Sequence, residues 1–105
     1  MFDQINWKII MTVKKITFVK KIFADGSPCK KCGEVMDKME AANQMRFIDE
    51  VMIADEADPE SQGMLLAKQY DVSKAPFFLV EGQEGNVETY TIYFKLVKDV
   101  LNHLS

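Results

Sequence analysis

Residues 15–36 read KITFVKKIFADGSPCKKCGEVM, and this stretch decides how the chain folds. Residues 15–23 are rich in β-branched and aromatic side chains and read as a strand. Residues 24–28 (ADGSP) are a turn by composition. Ser27-Pro28 then predicts a helix start, since serine is a favoured N-cap and proline suits the first helical position. The helix is expected over about residues 28–44, with Cys32, Val35, Met36, Met39 and Ala42 on one apolar stripe at spacings of three and four. Gly33 lowers helix propensity by about 1 kcal/mol relative to alanine, which predicts a packing reason for it. The only two cysteines of the chain, Cys29 and Cys32, fall at this helix start, three residues apart.

Working outward, the 105 residues suit one domain, with an apolar fraction of 48% and a charged fraction of 28% that are ordinary for a globule. A chain of this length buries a core without disulfide staples. Two cysteines are too few for a secreted disulfide framework and suit a reducing compartment, so a cytoplasmic location is expected. A net charge of −3 implies neither nucleic-acid nor membrane affinity. No stretch approaches the length of a membrane span, and polar residues break residues 1–13, so no signal-peptide core forms. Residues 1–38 hold eight lysines against four acids, whereas residues 39–105 are acidic on balance. The dithiol thus lies in the positive part of the chain, which favours a thiolate; solvated faces that differ by chance are the plainer reading.

Residues 2–10, around Trp7, read as an extra edge strand or an arm, so residues 1–13 are taken as an accessory segment before a domain over 14–105; Met11 is an alternative start. Residues 47–54 (FIDEVMIA) read as a second strand. Asp58-Pro59-Glu60 signals a second helix, expected to reach Tyr70. Residues 77–81 form a strand, residues 82–86 (GQEGN) a hairpin turn, and residues 87–93 its partner. Residues 94–104 close as a helix with Leu96, Val97, Val100, Leu101 and Leu104 on one face. Met36, Met39 and Met64 are expected to fill core, and one of Phe77 and Phe78 to face the core while the other flanks the site. The order is β-α-β-α-β-β-α, an α/β fold. Its first βαβ unit should be parallel and right-handed, and the last hairpin antiparallel.

A CxxC pair at a helix start has a mechanical logic. The first cysteine meets unpaired N–H groups and the positive end of the helix dipole, which favour a thiolate. The second lies one turn on, within disulfide reach. Cys29 would attack and Cys32 would resolve the mixed disulfide, with Lys30 and Lys31 adding positive charge beside them. Two cysteines at this spacing are also compatible with inert core residues or with half of a metal site. A tetrahedral zinc needs four ligands, and His103, the only histidine, falls in the last turn of the final helix.

The CxxC after a strand, together with Ala75-Pro76 before an apolar strand, resembles the thioredoxin-like superfamily of thiol–disulfide oxidoreductases over about residues 14–104. The resemblance implies a four-stranded mixed sheet flanked by three helices. It also implies a cis Pro76 packed against the dithiol, with Ala75 offering backbone hydrogen bonds to an extended substrate. No bound cofactor is implied, because the dithiol carries the redox equivalents; the partners would be a protein or small disulfide as substrate and a reductase or glutathione as electron donor. Two departures stand out. Thioredoxins carry a buried acid six residues before the first cysteine, a position that is Phe23 here, with Asp25 nearby in the turn. Glutaredoxins carry a Gly-Gly pair near the start of the last helix, where this chain has Thr91-Ile92-Tyr93-Phe94-Lys95. The expected function is a thiol–disulfide oxidoreductase. The rival is a non-catalytic interaction module whose dithiol senses redox state or clips a metal.

Overall fold

A computed structural model describes residues 13–104. The expected strand over residues 2–10, with Trp7, and the alternative start at Met11 lie outside the described residues. Four strands form one sheet: β1 (Val13–Ile22), β2 (Glu50–Asp55), β3 (Phe77–Gly82) and β4 (Val87–Tyr90). Two helices, α1 (Lys30–Ala41) and α2 (Gln62–Gln69), lie between strands, and α3 (residues 93–104) closes the described chain. The spatial order is β2-β1-β3-β4. β1 and β2 are parallel, while β1–β3 and β3–β4 are antiparallel. The described residues therefore form an α/β fold with a four-stranded mixed sheet and three helices.

Both faces of the sheet are covered, which explains why the central strands read as nearly continuous apolar runs. On one face Ile16, Phe18, Phe78, Val80 and Tyr90 pack with Val35 and Met39 of α1 and with Leu96, Val100 and Leu101 of α3. Phe18 and Phe78 are register partners whose rings stack at 4.9 Å. Each is essentially inaccessible, which corresponds to about 1.5–3 kcal/mol of burial per side chain. On the other face Val19, Ala54, Phe77 and Leu79 pack beneath Met64, Leu66 and Ala67 of α2. Phe77 and Phe78 are therefore both core residues, on opposite faces of the sheet. Met39 is fully buried, and Met36 and Met64 pack at the margins of the two clusters.

The element boundaries correct the expected ones at several points. α1 starts two residues later than Ser27-Pro28 suggests: Ser27 bonds to Asp25, and Cys29 itself is the N-cap. It stops at Ala41 because Asn43 adopts a left-handed φ of 58°, so that Asn43 N–H reaches Glu40 O and Gln44 N–H reaches Met39 O. That is a Schellman closure. α2 ends the same way on Asp71 (φ 55°), with Val72 N–H donating to Ala67 O. It begins after Ser61, since Asp58 is used in a turn with Glu60 N–H and the Ser61 hydroxyl accepts from Asp55 N–H at 3.0 Å. Residues 45–47 form a 3-10 turn ahead of β2, and Asp49 docks that turn by accepting Ile16 N–H at 2.8 Å. β4 ends at Tyr90 and α3 begins at Tyr93, whose hydroxyl donates to Gln44 Oε1. Within α3 the hydrogen bonding widens to i→i+5 over Val97–Leu101.

Candidate functional site

The site is built on the exit from β1. Residues 23–29 turn back on themselves: Phe23 N–H donates to Ser27 O (2.9 Å), Gly26 N–H donates to Phe23 O (2.8 Å), and Pro28 bridges Ile22. Gly26 takes a φ of 87°, a conformation that costs glycine little. The turn delivers Cys29 in extended backbone geometry to the N-cap of α1, where its Sγ accepts Cys32 N–H at 3.1 Å. Gly33 N–H donates to Cys29 O at 3.2 Å.

Cys29 and Cys32 are joined by a disulfide with a Cα–Cα separation of 5.2 Å. Both cysteines are buried, Cys29 retaining 8% of its surface and Cys32 3%. The first turn of α1 contains no acid, and the lysines at 30 and 31 are exposed beside the disulfide. The arrangement can take up and release two electrons at a sulfur held against the positive end of a helix.

The neighbouring parts arrive through the sheet register. β3 runs antiparallel to β1 with Phe77 opposite Val19, so Ala75-Pro76 lies at the end of the sheet from which β1 leaves. The Ala75–Pro76 bond is cis, Pro76 is buried and Ala75 half-buried. β2 ends at this same end, parallel to β1, and β4 also finishes there, with Tyr90 opposite Phe78. Four connections therefore meet at one sheet end: residues 23–29, 56–61, 72–76 and 91–92. Ile92 and Phe94, just after β4, are 60% and 73% exposed.

Glu56 is a site residue that sequence reading missed. Its N–H donates to Ile22 O (2.9 Å), its Oε1 accepts Ala24 N–H (3.2 Å), and its Oε2 lies 3.2 Å from Lys21 Nζ. These ties cross more than thirty residues of sequence and left no local signal. Lys21 also stands 5.7 Å from the centroid of the Phe23 ring, which is 39% exposed. Asp25 is fully exposed, and its Oδ1 accepts both the hydroxyl (2.6 Å) and the N–H (2.9 Å) of Ser27. Those hydrogen bonds, the hydroxyl first, hold its carboxyl below the usual value. Between the sheet and α2 a cleft of about 210 Å³ opens beside Ala75, floored by Val19, Ala54, Met64 and Phe77 and bordered by Lys21, Glu56 and Lys74.

His103 is exposed in the last turn of α3. Among the described residues no three His, Cys, Asp or Glu side chains are grouped to hold a metal ion. No described helix is long and apolar enough to cross a membrane. No family model matches the chain, and no curated protein matches it.

Proposed function

We propose that this chain is a thioredoxin-like thiol–disulfide oxidoreductase. The observation that carries the reading is the Cys29–Cys32 disulfide closed across the first turn of α1, with Cys29 as the helix cap. In the reduced form the Cys29 thiolate attacks a substrate disulfide. A Cys29–substrate disulfide forms, and one substrate sulfur leaves as thiolate. Cys32, deprotonated, then attacks Cys29 Sγ and expels the second substrate thiolate. Two electrons have passed to the substrate, and the protein holds the disulfide seen here. An external dithiol or glutathione restores the reduced state. Lys30 and Lys31 add to the field of the helix terminus and favour the thiolate. Ala75-Pro76 borders the substrate position, and no bound cofactor takes part. The cytoplasm, where thiols stay reduced, is the proposed setting.

The test is a redox titration of Cys29–Cys32 in defined thiol–disulfide buffers, read by alkylation mass shift. A single two-electron transition on the order of −270 to −120 mV is expected. Cys29→Ser should abolish disulfide turnover, and Cys32→Ser should accumulate mixed disulfides. Undiminished turnover in Cys29→Ser would sink the proposal.

One observation favours a second reading. Phe23, the position at which thioredoxins carry a buried acid, is an exposed aromatic ring here, so that position holds no carboxylate to take the Cys32 proton. The protein would then be an interaction module whose dithiol reports redox state. A dithiol that closes reversibly yet turns over no disulfide would select this reading.

A further inference from the structure

Glu56 joins two segments that are far apart in sequence. Its N–H donates to the O of Ile22, the last residue of β1, at 2.9 Å. Its Oε1 accepts Ala24 N–H at 3.2 Å, and its Oε2 lies 3.2 Å from Lys21 Nζ. Ile22 is also the residue that Pro28 bridges, and Cys29 follows Pro28 directly. Between them the turn is closed by its own bonds, from Phe23 N–H to Ser27 O and from Gly26 N–H to Phe23 O. Those bonds shape the turn; the Pro28 bridge and the Glu56 carboxylate fix it to the strand ends.

This anchor matters more in one redox state than in the other. In the disulfide form a covalent bond keeps Cys29 at the helix start. In the dithiol form only the turn and the bond from Cys32 N–H to Cys29 Sγ can keep it there. A thiolate that leaves the N-cap gives up the unpaired N–H groups and the helix dipole that favour its charge. We infer that Glu56 is a positioning residue for Cys29: by holding Ala24 against the end of β2, its carboxylate keeps the reduced sulfur over the first turn of α1. The inference rests on the reading of Cys29 as the attacking thiolate and adds to that site a residue from the end of another strand. The other charged side chains on the adjoining segments are Asp25 in the turn, Lys21 on β1, Lys30 and Lys31 on α1 and Lys74 ahead of Pro76; the test leaves all of them in place.

The experiment takes the full chain in reduced form and follows alkylation of Cys29 by iodoacetamide as a function of pH. Lys30 and Lys31 let trypsin part Cys29 from Cys32, so each thiol is read separately by mass. Glu56→Asp keeps the charge and withdraws the oxygens by one methylene, whereas Glu56→Gln keeps the reach and removes the charge. In Glu56→Asp the midpoint of the Cys29 profile should rise by about 0.3–1 pH unit, a two- to tenfold loss of rate below it, which is the worth of about one hydrogen bond. Glu56→Gln should stay close to the parent. An unmoved midpoint in Glu56→Asp, with or without a lower melting temperature, would overturn the inference. So would a shift in Glu56→Gln as large as that in Glu56→Asp or larger, because charge and not reach would then govern the thiol. Reduction of hydroxyethyl disulfide is followed alongside. Turnover with an unmoved profile sinks the inference alone; the expected profile without turnover sinks the oxidoreductase reading and leaves Glu56 its hold on Cys29.

Discussion

Gly63 and Gly33 each sit in a helix, and the same replacement by alanine is expected to have opposite effects at the two sites. A Cβ built on Gly63 would come within 2.5 Å of Ile53 C and 2.6 Å of Ala54 Cα, and nearer still to Ala54 N. All three are backbone atoms of β2, so no side chain can rotate away. Ordinary carbon contacts are about 3.5–4 Å, so α2 would have to withdraw by roughly 1 Å. That retreat loosens Met64, Leu66 and Ala67 over Val19, Ala54, Phe77 and Leu79. Overpacking of this kind costs about 1–3 kcal/mol, and a rigid backbone partner puts Gly63 at the upper end. The helix propensity of alanine returns about 1 kcal/mol, which leaves a net loss of about 2 kcal/mol. Gly33 is exposed and would meet nothing within 4 Å; its replacement should stabilise by about 0.5–1 kcal/mol. The assay is urea unfolding of the oxidised proteins followed by circular dichroism, with thermal melts in parallel. At about 4–8 °C per kcal/mol, the two variants should melt on opposite sides of the parent. A Gly63→Ala protein as stable as the parent would refute the close approach of α2 to β2.

Two further outcomes follow from named hydrogen bonds. Asp49→Ala leaves the Ile16 N–H without its acceptor at 2.8 Å and should lower the unfolding free energy by about 1–3 kcal/mol. Asp49→Asn keeps an acceptor and should lose less, and equal losses in the two variants would show that this bond is not the cause. Asp25 is held below the usual carboxyl value by Ser27. A depressed folded value means that this contribution is present above the unfolded pKa of 3.8 and is lost as pH falls through the folded one. Ser27→Ala should return the Asp25 titration toward its ordinary position, read from carboxyl chemical shifts, and an unmoved titration would show that the hydroxyl bond is not formed in solution.

The element order, the apolar faces of α1 and α3 and the cysteine pair at the start of a helix were all legible in the sequence. Each rests on local pattern: β-branched runs, three-and-four spacing, and turn residues at short range. Helix ends were not legible. Asn43 and Asp71 close α1 and α2 through left-handed turns, a role that either residue tolerates without announcing it. Ser27 and Asp58 looked like caps because both types cap well, yet local turns with Asp25 and Glu60 claim them first. Gly33 was expected to have a packing reason and has open space around it, whereas Gly63, which drew no notice, is the glycine that packing demands. Glu56 and the cleft beside Ala75 depend on strands meeting across long stretches of sequence, so no window of neighbouring residues could reveal them.

The meeting of four connections at one end of the sheet has a consequence for the chain as it is made. Both thiols emerge from the ribosome with α1, before any of β2, β3 or β4 exists. Until β3 pairs with β1, the face on which Val35 and Met39 settle is incomplete, and α1 has little to hold it in place. The nascent protein therefore carries two unsheltered thiols and can be oxidised by whatever it meets. Reactivity at Cys29 under mild conditions would serve as a direct readout of how far synthesis and folding have progressed.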